Sequence, residues 1–269
     1  MRARLVAVLV VLIILTTLSA GVPAYLLARR QLEQGAWERV DATRRATESL
    51  YDAALGSAVD LTTLLGERPT LRRLIADGDT AALESYLVAF REQSELDLIQ
   101  VCSGRQVIVT IEEASDLCAF APQAGVELVD GRPVMLARRA IPDDEQAESG
   151  DAVVAGIRLD GEFLLQLSAN TGMEQSIIGP DERAIITTLP AGTTTVELLP
   201  DGHLLTVQEA GGGESPFFAA QFPLPGHAPD LYAEVALPVA GLRATERDAL
   251  AILVAGSAAV AAAGAVAGA

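Results

Sequence analysis

The hydrophobic pattern of the chain changes period along its length, and each change marks a new part. From Leu5 to Ala28 the run LVAVLVVLIILTTLSAGVPAYLLA carries no charged residue. A helix of that length spans a hydrocarbon core of ~30 Å. From Arg29 to Leu65 there is no proline, and Ala36, Val40, Thr43, Thr47, Leu50, Ala54, Ser57, Leu61 and Leu64 recur at steps of four and three. That is the spacing of a packed helix seam, which predicts a parallel homodimer through a helix of ~55 Å. Gly66 and Pro69 are read as its stop. Thr70 to Ala76 predicts a short helix closed by Gly78, and a third helix runs to Ser94 with Leu83, Tyr86, Leu87 and Phe90 on one face.

At Leu96 the period falls to two. Asp97 to Cys102 and Gln106 to Ile111 flank Ser103-Gly104-Arg105, a hairpin signal. Further strands are expected at Val126 to Val129, Val134 to Ile141, Ala152 to Leu159 and Phe163 to Ser168, with Asp130-Gly131, Asp160-Gly161 and Asp201-Gly202 as turns. A helical stretch from Thr171 to Ile178 precedes a second set: Arg183 to Thr188, Thr194 to Leu199, His203 to Glu209, Phe217 to Pro223 and Tyr232 to Leu237. Pro142 to Asp151 and Ala210 to Pro216 read as loops. The chain ends on a second uncharged run, Ala249 to Ala269, rich in Ala and Gly and suited to close helix packing.

The expected fold class is therefore α+β: a long N-terminal helix, then two antiparallel-sheet modules, flanked by two transmembrane helices. The parts are 1–28 (cytoplasmic tip and first transmembrane helix), 29–95 (long helix and helical connection), 96–180 (membrane-distal module), 181–248 (membrane-proximal module) and 249–269 (second transmembrane helix). Arg2 and Arg4 place the N-terminus in the cytoplasm and the middle outside it, although Arg29 and Arg30 follow the first span. The alternative is a cleaved signal peptide with a site at Val22-Pro23-Ala24, which also puts the middle outside. No cation follows the second run, so further cytoplasmic sequence is expected beyond Ala269.

Charge narrows the partners. The formal net charge is -17, and the cations are all arginine. Such a surface repels phosphate backbones, which excludes a nucleic acid partner. Cys102 and Cys118 are the only cysteines, and in an oxidising compartment a lone pair predicts a disulfide. Two distant histidines beside two cysteines lack metal-ligand spacing, so no metal or cofactor is expected. The sequence carries no HExxH, no Walker lysine and no GxSxG; Gly213-Glu214-Ser215-Pro216-Phe217 fails at its last position. His203 and His227 lie next to turns, and Glu112-Glu113 and Asp143-Asp144 read as solvated surface. The chain is thus not expected to be an enzyme.

A binding site is expected in the first sheet module, bounded by the helix carrying Tyr86 and by the strands of Arg138, Arg139, Arg158 and Gln166. These polar residues interrupt apolar strands. Arg138 and Arg139 are consecutive, so alternation sends one to each face. An inward guanidinium needs a carboxylate, from the protein or from a small carboxylate ligand. The other reading leaves the arginines on an exposed face, paired with surface acids.

The order of elements resembles the Cache-type extracytoplasmic sensor of bacterial transmembrane receptors, in its double, PAS-like form. The matching features are residues 29–95 with the hairpin ELDLIQVCSGRQVIV, the segment VVAGIRLDGEFLLQLSANTGMEQSIIGPDERAIITTLP, and the ending LYAEVALPVAGLRATERDAL before the last apolar run. The resemblance implies PAS-like modules, a small-molecule ligand in the membrane-distal one, and a dimer. It also implies a cytoplasmic output of histidine kinase, diguanylate cyclase or chemoreceptor type. A membrane-anchored binding or adhesion module without output is the alternative.

Overall fold

The computed structural model describes residues 2–112, 116–119, 122–141, 150–199, 202–208, 214–226 and 231–239, with 251 and 255. It has a long helix followed by two antiparallel sheets, as expected. By compactness the chain divides into two units, one of residues 42–190 and 220–236, the other of 1–41, 191–219 and 237–269.

Helix α1 runs unbroken over Arg2–Glu67, with Pro23 inside it. Gly66 does not end it; that glycine lies in the last turn, where the Arg139 side chain comes within 3.4 Å of the position a Cβ would take. The break comes one residue later. Arg68 is extended and Pro69, preorganised for a first helical turn, opens α2 (Pro69–Asp77). Asp79 caps α3 (Thr80–Glu92) by accepting from the Ala82 amide at 3.0 Å.

In the larger unit, residues 42–67 of α1 present Thr47, Tyr51, Ala58, Thr62 and Leu65 to the interior. The first sheet follows: β1 (Leu98–Ser103), β2 (Gln106–Ile111), β3 (Ala124–Val129), β4 (Arg132–Ala140) and β5 (Asp151–Arg158), in the order β2-β1-β5-β4-β3. Between β3 and β4, Asp130 and Gly131 take φ of 52° and 74°. Both central residues are left-handed, as the two-residue hairpin turn of a twisted ladder requires.

Asp160-Gly161 behaves differently. The Asp160 carboxylate accepts from the amides of Glu162 and Phe163 and caps a helix, α4 (Gly161–Thr171). The expected strand from Phe163 to Ser168 is therefore helical. Leu164 and Leu167 are buried and Gln166 is exposed, a helical rather than a strand alternation. Gly172 ends α4 at φ 69°, and the expected helical stretch to Ile178 is strand β6 (Glu174–Ile178).

β6 belongs to the second sheet, so the second set of strands begins before residue 181. Its members are β6, β7 (Ala184–Thr187), β8 (Thr193–Leu199), β9 (Gly202–Gln208), β10 (Glu214–Pro223) and β11 (Tyr232–Pro238), in the order β7-β6-β11-β10-β9-β8. α4 packs on β6 and β7, and Tyr51 meets Phe163 and Phe222 edge-on. In the smaller unit the Trp37 ring lies 4.6 Å from that of Phe218. Gly202 permits this, since a Cβ there would meet Trp37 at 2.6 Å.

Among the described residues no helix is long and apolar enough to cross a membrane. The run 249–269 lies outside the described residues except for 251 and 255, as do 142–149 and 210–213 of the expected loops; the ends of those loops are strand instead, Asp151 in β5 and Glu214 to Pro216 in β10.

Candidate functional site

Strand alternation gives the first sheet two dissimilar faces. Ile99 and Val101 of β1, Ala137 of β4, and Val153 and Ala155 of β5 join Leu65, Leu71, Leu83 and Leu87 of the helices in one core. Their neighbours Leu98, Cys102, Val134, Leu136, Ala152 and Val154 turn the other way and pack with Leu117 and Cys118. The 3-10 turn Leu117–Ala119 packs on that second face.

Three contacts hold the turn down. Cys102 and Cys118 form a disulfide with Cα atoms 5.6 Å apart. The buried Gln100 accepts from the Leu117 amide at 3.0 Å, and its amide donates to Thr110 Oγ1 at 3.2 Å. Arg138 donates to the Cys118 carbonyl at 3.1 Å. Arg138 is therefore half-buried and engaged by backbone rather than by a carboxylate.

Beyond the turn the same face opens into a cavity of about 440 Å³. Leu98, Val129 and Val134 form its apolar floor, and Thr110, Asp130, Arg132 and Arg158 its polar rim. This volume is in the range of small-molecule sites. Arg158 is fixed at its backbone, where its amide donates to Asp97 Oδ2 at 2.6 Å. Its guanidinium Nη2 lies 3.4 Å from Glu112 Oε2. The other carboxylate oxygen of Glu112 accepts from Arg91 of α3. Hydrogen bonds from Arg91 and then Arg158 hold the Glu112 carboxyl below the usual carboxylate range. Glu112 sits at φ 72°, a left-handed backbone that costs a non-glycine residue about 1 kcal/mol.

The expected site residues are thus divided. Arg158 lines this cavity and Arg138 holds the turn on the same face. Arg139 points to the helical side, 3.6 Å from Glu67 Oε1. Arg138 and Arg139 also border a groove of about 600 Å³ beside Val59 and Thr63 of α1. Tyr86 is on the helical side, where its hydroxyl accepts from Arg68 at 3.5 Å. Gln166 is on the exposed side of α4. Glu112 and Gln100 escaped the sequence reading. Gln100 gave the same signal as Arg158, a polar residue inside an apolar strand; Glu112 gave none, since an acid after a hairpin strand reads as surface.

No protein-family model and no curated protein sequence matches the chain. Its fold does match solved structures. The periplasmic domain of LuxQ from Vibrio cholerae superposes with a TM-score of 0.52 at 13 % identity, covering 74 % of this chain and 99 % of that one. The sensor domain of the V. cholerae histidine kinase DctB gives 0.49 at 11 % identity, over 80 % and 98 %. The sensory domain of the Campylobacter jejuni chemoreceptor Tlp3 with isoleucine bound gives 0.44 at 11 %, over 78 % and 95 %. The resemblance to extracytoplasmic sensors read from the sequence holds at the level of fold.

Proposed function

We propose that this chain is the extracytoplasmic ligand-sensing region of a membrane signalling receptor. The observation that carries the reading is the cavity at the first sheet, with an apolar floor, a converging polar rim and an arginine anchored at its backbone. The LuxQ-like fold supports it, as does the run from Leu5 to Ala28, which we take as a membrane helix with the described domain outside the cytoplasm. In this reading the chain binds a small molecule and is not itself an enzyme. It pairs with a second copy through α1 and passes occupancy to a cytoplasmic output through the membrane helices. A ligand shifts such an equilibrium only by binding two arrangements unequally.

The test is a thermal-shift screen of the full chain against a metabolite library, since a ligand stabilises the state that binds it. At least one compound should raise the melting temperature. Val134→Trp, which fills the cavity floor, should abolish that shift, and Leu165→Ala on the exposed side of α4 should keep it. Shifts indifferent to Val134→Trp would place the site elsewhere.

A further inference from the structure

We infer that Glu112 is a tethered carboxylate that occupies Arg158 until a ligand carboxylate displaces it, so that the cavity selects a small aliphatic carboxylate. The inference rests on the cavity being the ligand site.

The contact between Glu112 and Arg158 is long. One oxygen is in close contact with Arg91, while the other stands 3.4 Å from Arg158. A well-formed pair of guanidinium and carboxylate closes to ~2.8 Å and uses two parallel hydrogen bonds. The Arg158 side is therefore under-used, and it is the side that lines the cavity. A ligand carboxylate entering there can form the bidentate pair that Glu112 does not. Glu112 need not be stranded by this exchange, because it keeps Arg91 and is 38 % exposed to water.

The rest of the lining sets the ligand class. Leu98, Val129 and Val134 offer only apolar surface, which suits an aliphatic tail. Displacement also has a mechanical consequence. The chain Arg91–Glu112–Arg158 ties α3 to β2 and β5, and a bound carboxylate would uncouple the helix from β5.

Butyrate is the probe and butyramide its neutral counterpart, titrated against the full chain and followed by the carbon NMR signal of the labelled carboxyl or amide. Glu112→Gln removes the competing charge at nearly constant shape. Glu112→Gly removes the side chain and suits the left-handed φ, so at least one of the two variants should keep the fold. Both are expected to bind butyrate about tenfold tighter than the unaltered chain, and Arg158→Gln to lose it, with butyramide indifferent to all three. Butyrate affinity unchanged or weakened in both Glu112 variants overturns the inference. So does a neutral or cationic compound whose thermal shift vanishes in Val134→Trp while no carboxylate binds; that result would leave the cavity as the site and remove only its assigned chemistry.

Discussion

Tyr51 and Phe163 meet edge to face with ring centroids 5.5 Å apart, and the phenol hydroxyl that this packing buries has no hydrogen-bond partner among the described residues. An unpaired buried hydroxyl costs about 1–3 kcal/mol, while the ring itself stabilises the core. Tyr51→Phe should therefore raise stability by about 1 kcal/mol in denaturant melts, and Tyr51→Ala should lower it by about 3–5 kcal/mol. Burial also pushes the Tyr51 hydroxyl well above the usual tyrosine range. A folded-state pKa above the unfolded value contributes stability that is complete below pH ~10 and lost as pH rises beyond it. Tyr51→Phe should flatten that alkaline loss. A destabilised Phe variant would mean the hydroxyl is satisfied.

The disulfide between Cys102 and Cys118 pins the turn that packs on the second face of the first sheet. Thiol titration of the unfolded, unreduced protein should find no free sulfhydryl. A cross-link closing a loop of this size contributes about 3 kcal/mol, so Cys102→Ala/Cys118→Ala should lower stability by that order. Gln100→Leu should add to the loss, because it leaves the Leu117 amide without its acceptor. Two titratable thiols would refute the pairing.

Asp160 caps α4 through two backbone amides. Asp160→Ala should cost about 1 kcal/mol, and Asp160→Asn or Asp160→Ser should restore most of it. A hairpin-turn role predicts the opposite ranking, with glycine tolerated best, so the order of melting temperatures decides between the two.

That residue also shows where sequence reading fails. Asp-Gly marks a hairpin when both residues turn left-handed, as at Asp130-Gly131, and a helix start when the aspartate stays extended, as at Asp160. The dipeptide is identical, and only the following pattern separates the two. In FLLQLS the apolar spacing fits either period over so short a run. The strands of the first sheet were legible because turns of known chemistry bound them. The site was legible in part: Arg158 stood out as a charge in an apolar strand. Its partner lies 46 residues earlier, in a contact that only tertiary structure creates.

The helix seam shows the same limit, and its correction gives a test of the proposed dimer. The four-three count from Ala36 to Leu64 mixes two faces of α1. Val40 and Thr47 are fully buried within the chain, whereas Leu50 and Leu64 are 38 % and 49 % exposed. Recounting from the exposed side gives Ala46, Leu50, Ala53, Ser57, Asp60 and Leu64 at steps of four and three, with small residues at three of these positions that permit close approach of a second helix. Single cysteines at Leu50 and Leu64 in the full chain should therefore cross-link in high yield as parallel dimers. Cysteine at Val40 should not, because its position faces the chain's own interior. Asp52 is the informative control: it is exposed but lies off the stripe, so collision alone would cross-link it as well as Leu50. Equal yields at Leu50, Asp52 and Leu64 would mean that α1 offers no dimer seam, and signalling through paired helices would have to be abandoned.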